Sequence, residues 1–137
     1  MERKINHIGI AVKSIEKVLK FYTDNLNLEF TGYEIVEKQG VKVAFLKAGD
    51  SRIELLEPLN ENSPIAKFIE KKGEGLHHLA LSSDDLMSDL DKLQKSGIKL
   101  INETPQSGAH NTKIAFLHPK STGKVLFELT QENNNEE

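Results

Sequence analysis

Cysteine is absent from this 137-residue chain, and with it go disulfides, thiolate metal sites and a cysteine nucleophile. Any metal here is held by nitrogen and oxygen from His, Asp and Glu. The chain also lacks an apolar run near the roughly 20 residues that a membrane span needs, and its Met1–Ile5 segment is charged. No membrane partner and a cytoplasmic location are the expectations. Nor is basic charge in excess, since 18 Lys and Arg face 21 Asp and Glu for a net charge of -3, with no long basic run. A polyphosphate backbone would feel no attraction, so nucleic acid is excluded as a partner. The chain does have 37% hydrophobic and 28% charged residues, the make-up of one globular domain over residues 1–137 with a strongly charged surface.

Within that length the sequence repeats itself. His7 and His78 lie 71 residues apart, and the same offset aligns Ile15 with Leu86, Leu19 with Leu90, and Val43-Ala-Phe-Leu46 with Ile114-Ala-Phe-Leu117. Glu54 would fall on position 125, but the second copy carries extra residues in its Ser121-Thr-Gly123 turn, which makes Glu128 the counterpart. A short insertion in a turn costs little loop entropy.

Each copy opens with an alternating strand, in which Ile8, Ile10 and Val12 share one face and His7, Gly9 and Ala11 the other. Ser14 is the expected cap of a helix with Ile15, Val18, Leu19 and Tyr22 on its buried side, and Leu86, Leu90 and Leu93 repeat the pattern before Gly97. Three more strands are expected per copy, at 30–36, 41–47 and 52–57, then at 99–103, 112–117 and 125–130. Pro64 after Asn62 and Ser63 starts a connector helix over about 63–72. The fold class is therefore α+β: two βαβββ modules, about 4–59 and 76–131, related by a pseudo-twofold, with curved mixed sheets enclosing a metal site. Gln131–Glu137 holds only Gln, Glu and Asn, so a frayed tail is expected, disordered over 132–137.

Side-chain parity points to the site. His78 alternates in phase with Leu76, Ala80 and Ser82, whereas His77 falls with Leu79 and Leu81 and reads as structural. Late in each copy a carboxylate interrupts an apolar strand, Glu54 among Ile53, Leu55 and Leu56, and Glu128 between Phe127 and Leu129. A half-buried carboxylate needs a partner. If the modules pack about a twofold, His7, Glu54, His78 and Glu128 converge as ligands for one divalent ion, with Co, Mn, Ni, Mg and Zn all compatible with an oxygen and imidazole set. The plainer alternative is that each His bonds backbone and each Glu pairs with a nearby Lys or Arg.

The same residues resemble the vicinal oxygen chelate family, whose members also include glyoxalases and bleomycin resistance proteins and pair βαβββ modules around a His, Glu or Gln, His, Glu site. Within it the likeness is to epimerases of methylmalonyl thioesters, through His7-Ile-Gly-Ile-Ala-Val, Ile53-Glu-Leu-Leu-Glu-Pro58, Ser63-Pro-Ile-Ala66, Gly75-Leu-His-His78, Gly108-Ala-His110, Phe116-Leu-His-Pro-Lys120 and Val125-Leu-Phe-Glu-Leu129. The resemblance implies a homodimeric isomerase that binds an acyl-CoA and removes and returns the proton at carbon 2, with one divalent ion per chain stabilising the enolate. Some of these epimerases carry a glutamate in the segment that reads Val41-Lys-Val-Ala44 here, and position 43 is valine. Glu54 and Glu128 are then the expected bases as well as ligands. Glu54 stands where many epimerases have glutamine and where glyoxalase I enzymes have glutamate. A glyoxalase I type lactoylglutathione lyase and a non-catalytic binding protein of the same fold are the alternatives. A ring-cleaving dioxygenase, with two His and one carboxylate, would leave one of the four residues unexplained. His110 and His118 are weaker candidates, as are Lys113, Lys120 and Lys124 for the phosphates of coenzyme A.

Overall fold

A computed structural model describes residues 2–133. The first half runs β1 (Ile5–Ala11), α1 (Ile15–Lys20), β2 (Glu29–Val36), β3 (Val41–Ala48) and β4 (Ser51–Pro58), and α2 (Pro64–Lys72) follows as the connector. The second half runs β5 (Gly75–Ser82), α3 (Leu86–Lys95), β6 (Gln106–Gly108), β7 (Thr112–Leu117) and β8 (Phe127–Glu132). Each half is thus βαβββ. The chain divides into two compact units, His7–His77 and the remainder. Among the described residues no helix is long and apolar enough to cross a membrane.

In the first unit β1 pairs parallel with β4, β4 antiparallel with β3, and β3 antiparallel with β2. The second repeats this plan, with β5 parallel to β8, β8 antiparallel to β7 and β7 to β6. One face of each unit's sheet is covered by its own helix. Ile10, Ala44, Leu46, Ile53 and Leu55 meet Ile15, Val18 and Leu19 of α1, while Leu81, Ala115, Leu117 and Leu129 meet Leu86, Leu90 and Leu93 of α3. Burying each leucine or isoleucine of this kind contributes about 1.5–3 kcal/mol. Because side chains alternate along a strand, this packing commits the intervening residues, His7, Glu54, His78 and Glu128 among them, to the opposite face.

Several local expectations are corrected by long-range contacts. Ser14 does not cap α1 with its side chain; the first helical N–H, of Ile15, donates to Glu57 Oε1 of β4 at 2.8 Å. Helix α1 continues as a π-helical turn over Phe21–Asn25. The connector helix keeps its expected cap, with Ala66 N donating to Ser63 Oγ at 3.0 Å.

The segment expected as a strand over 99–103 makes a single bridge, Leu100 to Leu117. Asn102 interrupts the ladder: its Oδ1 accepts from Phe116 N at 2.8 Å, substituting a side-chain amide for a backbone partner. Pro105 has no N–H to offer, and regular pairing resumes at β6. At the other end β8 reaches Glu132, whose Oε2 accepts from Asn6 Nδ2 at 3.1 Å, and Gln131 Oε1 accepts from Leu86 N at 2.8 Å. The expected tail thus begins inside a strand, and 134–137 lie outside the described residues.

The residues before β1 are pinned by Arg3, whose Nη1 reaches Asp89 Oδ2 at 3.0 Å. Burial raises the Asp89 pKa, but hydrogen bonds from Arg3 and Ser83 and the charges of Arg3 and Lys92 outweigh it and hold the carboxyl below its ordinary value. Thr130 is 1% exposed, and its Oγ1 is a buried polar atom without a partner among the described residues. Replacing an unsatisfied hydroxyl by a methyl of the same shape removes a desolvation cost, so Thr130→Val should stabilise the protein by about 1 kcal/mol. A thermal melt checks this, with a rise in Tm of roughly 3 °C expected and a fall counting against it.

Candidate metal centre

On the face away from α1, Gly9 of β1 stands beside Glu54 of β4, and Phe45 of β3 lies opposite Glu54. On the face away from α3, Ala80 of β5 stands beside Glu128 of β8, and Phe116 of β7 lies opposite Glu128. Glu128 therefore holds in the second unit the register position of Glu54 in the first, flanked in both by a small residue and a phenylalanine. Two residues before Gly9 and Ala80 come His7 and His78.

Each unit pairs its own histidine with its own carboxylate. His7 Nδ1 is 3.4 Å from Glu54 Oε2, and His78 Nε2 is 3.1 Å from Glu128 Oε1. All four residues are buried: His7 5%, Glu54 4%, His78 9% and Glu128 4% exposed. Phe116 meets the His78 ring edge-on, with centroids 5.6 Å apart. Carboxylates this far from water persist only with cationic or donor partners.

Glu54 has a second basic neighbour. Arg52, two residues before Glu54 and aligned with His7, donates from Nε and Nη2 to Glu54 Oε2 at 3.3 and 3.2 Å. The plainer expectation for a strand glutamate, a nearby arginine, thus applies to Glu54 alongside His7. At the corresponding place before Glu128 the sequence has Leu126. Sequence reading missed Arg52, although its i, i+2 spacing from Glu54 was the available signal.

Among the other candidates, His77 stacks edge-on to Phe68 of α2 with centroids 4.9 Å apart, a packing role. His118 Nδ1 accepts from Lys120 N at 3.0 Å and closes a 3-10 turn over Pro119–Ser121. His110 is exposed at φ 62°, in the loop between β6 and β7, and Lys113, Lys120 and Lys124 are exposed. Val43 is 2% exposed and faces the same side as Glu54, with Glu34 and Leu56 as its register neighbours.

The donor set suits a hard or borderline divalent ion. Each unit supplies a buried imidazole beside a buried carboxylate, and the chain has no cysteine thiolate to select a soft metal.

Residues 6–116 match the family described as the Glyoxalase/Bleomycin resistance protein/Dioxygenase superfamily. An uncharacterized protein of Bacillus subtilis is 45% identical over 128 residues, covering 93% of this chain and 91% of that protein. The mitochondrial methylmalonyl-CoA epimerase of Homo sapiens is 38% identical over 129 residues, covering 93% of this chain and 73% of that protein. Among solved structures, a variant of the Streptomyces coelicolor methylmalonyl-CoA epimerase in complex with 2-nitronate-propionyl-CoA superposes with a TM-score of 0.88 at 35% identity, covering 94% of each chain. Paired βαβββ modules, a repeated histidine and carboxylate, and these likenesses over nearly the whole chain agree: the protein belongs to the glyoxalase/bleomycin resistance protein/dioxygenase superfamily, in which it stands with the methylmalonyl-CoA epimerases, a group of isomerases.

Proposed function

We propose that this protein is a metal-dependent epimerase that inverts carbon 2 of methylmalonyl-CoA. The observation that carries the reading is a buried imidazole–carboxylate pair recurring at one register in both units. In this reading His7, Glu54, His78 and Glu128 are the ligands of a single divalent ion, drawn from Co, Mn, Ni, Mg and Zn. When bound, such an ion supplies positive charge where negative charge develops on the thioester oxygen.

The chain's own residues handle the proton. Carbon 2 of a malonyl thioester is a weak carbon acid, and inversion requires its proton to leave from one face and a proton to return to the other. Two carboxylates can divide that task, one accepting at a carboxylate oxygen while the other donates. Glu54 and Glu128 are assigned these roles, with His7 and His78 as ligands only. Phe45 and Phe116, opposite the two glutamates, wall the acids from bulk water, which keeps the transferred proton from being lost to solvent. The reading includes a homodimer located in the cytoplasm.

Proton NMR in deuterated water tests it. The chelator-treated protein, with and without each divalent ion, is given either enantiomer of methylmalonyl-CoA or, separately, the adduct of methylglyoxal and glutathione. Metal-dependent loss of the carbon 2 proton from both enantiomers is expected, with the adduct unchanged. Turnover of the adduct in place of carbon 2 exchange would move the protein to the glyoxalase I reading, and silence on both substrates would leave a binding protein.

A further inference from the structure

Arg52 and Glu54 are two apart on β4, so their side chains leave the same face of the strand. Two Arg52 contacts with Glu54, from Nε at 3.3 Å and Nη2 at 3.2 Å, end on the same carboxylate oxygen, Oε2, and His7 Nδ1 approaches that oxygen too, at 3.4 Å. None of these three contacts ends on Oε1, the other oxygen of the carboxylate. The guanidinium is held in turn. Its side chain is 17% exposed, and its central carbon sits 5.9 Å from the centroid of Phe45, the residue opposite Glu54. A planar, delocalised cation anchored by an aromatic face is a rigid handle for a carboxylate, which a flexible ammonium is not.

We infer that Arg52 is a positioning residue: it anchors Glu54 through Oε2 and so presents Oε1 as the oxygen that meets the metal ion or the substrate proton. The inference rests on the function proposed above. It also makes the two glutamates unequal by construction, because Leu126 occupies the matching place before Glu128. Loss of Arg52 should therefore fall more heavily on the half-reaction that Glu54 serves.

The test is a double-mutant cycle between Arg52 and Glu54, using Arg52→Met, Arg52→Lys and Glu54→Gln singly and combined. Co(II) affinity is read by calorimetry, and carbon 2 exchange by NMR on each enantiomer at saturating metal. Arg52→Met is expected to weaken Co(II) binding by about ten-fold, within the range found when a partner of a metal ligand is removed. It is also expected to lower kcat for one enantiomer more than for the other with KM little changed, and Arg52→Lys should recover part of the loss. In the Glu54→Gln background the same substitution should cost less than about two-fold, because its route of action is gone. Equal losses in both backgrounds would overturn the inference, as would unchanged Co(II) affinity and exchange in Arg52→Met. If Arg52→Met does not fold, Arg52→Lys in the two backgrounds gives the same comparison. A wild-type protein that binds Co(II) and exchanges the proton, with arginine variants that match it in both, removes only this inference; a wild-type protein that does neither removes the proposed function with it.

Discussion

Glu128→Gln should lower kcat for carbon 2 exchange by about 10³-fold, in the middle of the range for losing a general acid–base group, and should abolish stabilisation by divalent metal. Glu128 is 4% exposed on β8, between Ala80 and Phe116, with His78 Nε2 at 3.1 Å. Glutamine keeps the shape, so the surrounding packing survives, but it carries no charge to neutralise an ion and takes no proton at working pH. A ligand that binds only the native state stabilises it by about 2.7 kcal/mol at a hundred times its Kd, which for a domain of this size is several degrees in Tm. Wild type should display that shift and Glu128→Gln should not. Without metal the order should level or reverse, because removing a buried charge relieves its desolvation. Calorimetric melts with and without metal, together with exchange rates, decide it; a variant keeping both the metal shift and the exchange would remove Glu128 from the site.

Glu54→Gln should split the two half-reactions. With metal saturating, exchange from one enantiomer is expected to fall by about 10²-fold or more, while the other stays within a few-fold of wild type. The asymmetry follows from inversion itself: the face that loses its proton to Glu54 in one direction receives its proton from Glu54 in the other, and an amide does neither. Saturating metal matters because Glu54 is also assigned as a ligand, and a simple loss of affinity would lower both directions alike. Equal retention of both half-reactions would defeat the two-base assignment and return the role of second base to other groups. Glu34, the register neighbour of Val43 on β2, would be the next residue to replace.

The pairing of Glu54 with Glu128 was legible because it rides on a duplication, and a duplication repeats both the apolar face that drives packing and the polar residues that face away from it. Parity separated His78 from His77 for the same reason, since one residue of displacement along a strand reverses the face. Phe68 packing on His77 agrees with that separation. Local pattern was weaker wherever a distant group competes for the backbone. Glu57 displaced Ser14 as the cap of α1, and Asn102 took the hydrogen bond that a strand at 99–103 would have made. Each of those partners lies far along the chain or in a side chain, and periodicity carries no information about either.

The sequence by itself determined two βαβββ copies, which strand faces are apolar, the absence of any thiolate, and four polar residues that interrupt apolar strands. These are properties of composition and of short-range spacing. Only the tertiary structure decided which oxygen of Glu54 is held and by what. Alignment of β1 with β4 sets His7 level with Arg52 and Gly9 level with Glu54, and that register comes from packing Ile10, Ile53 and Leu55 beneath α1, a long-range fit that no local pattern encodes. The duplication makes Glu54 and Glu128 look alike in sequence; Arg52 and Leu126 make them different in space.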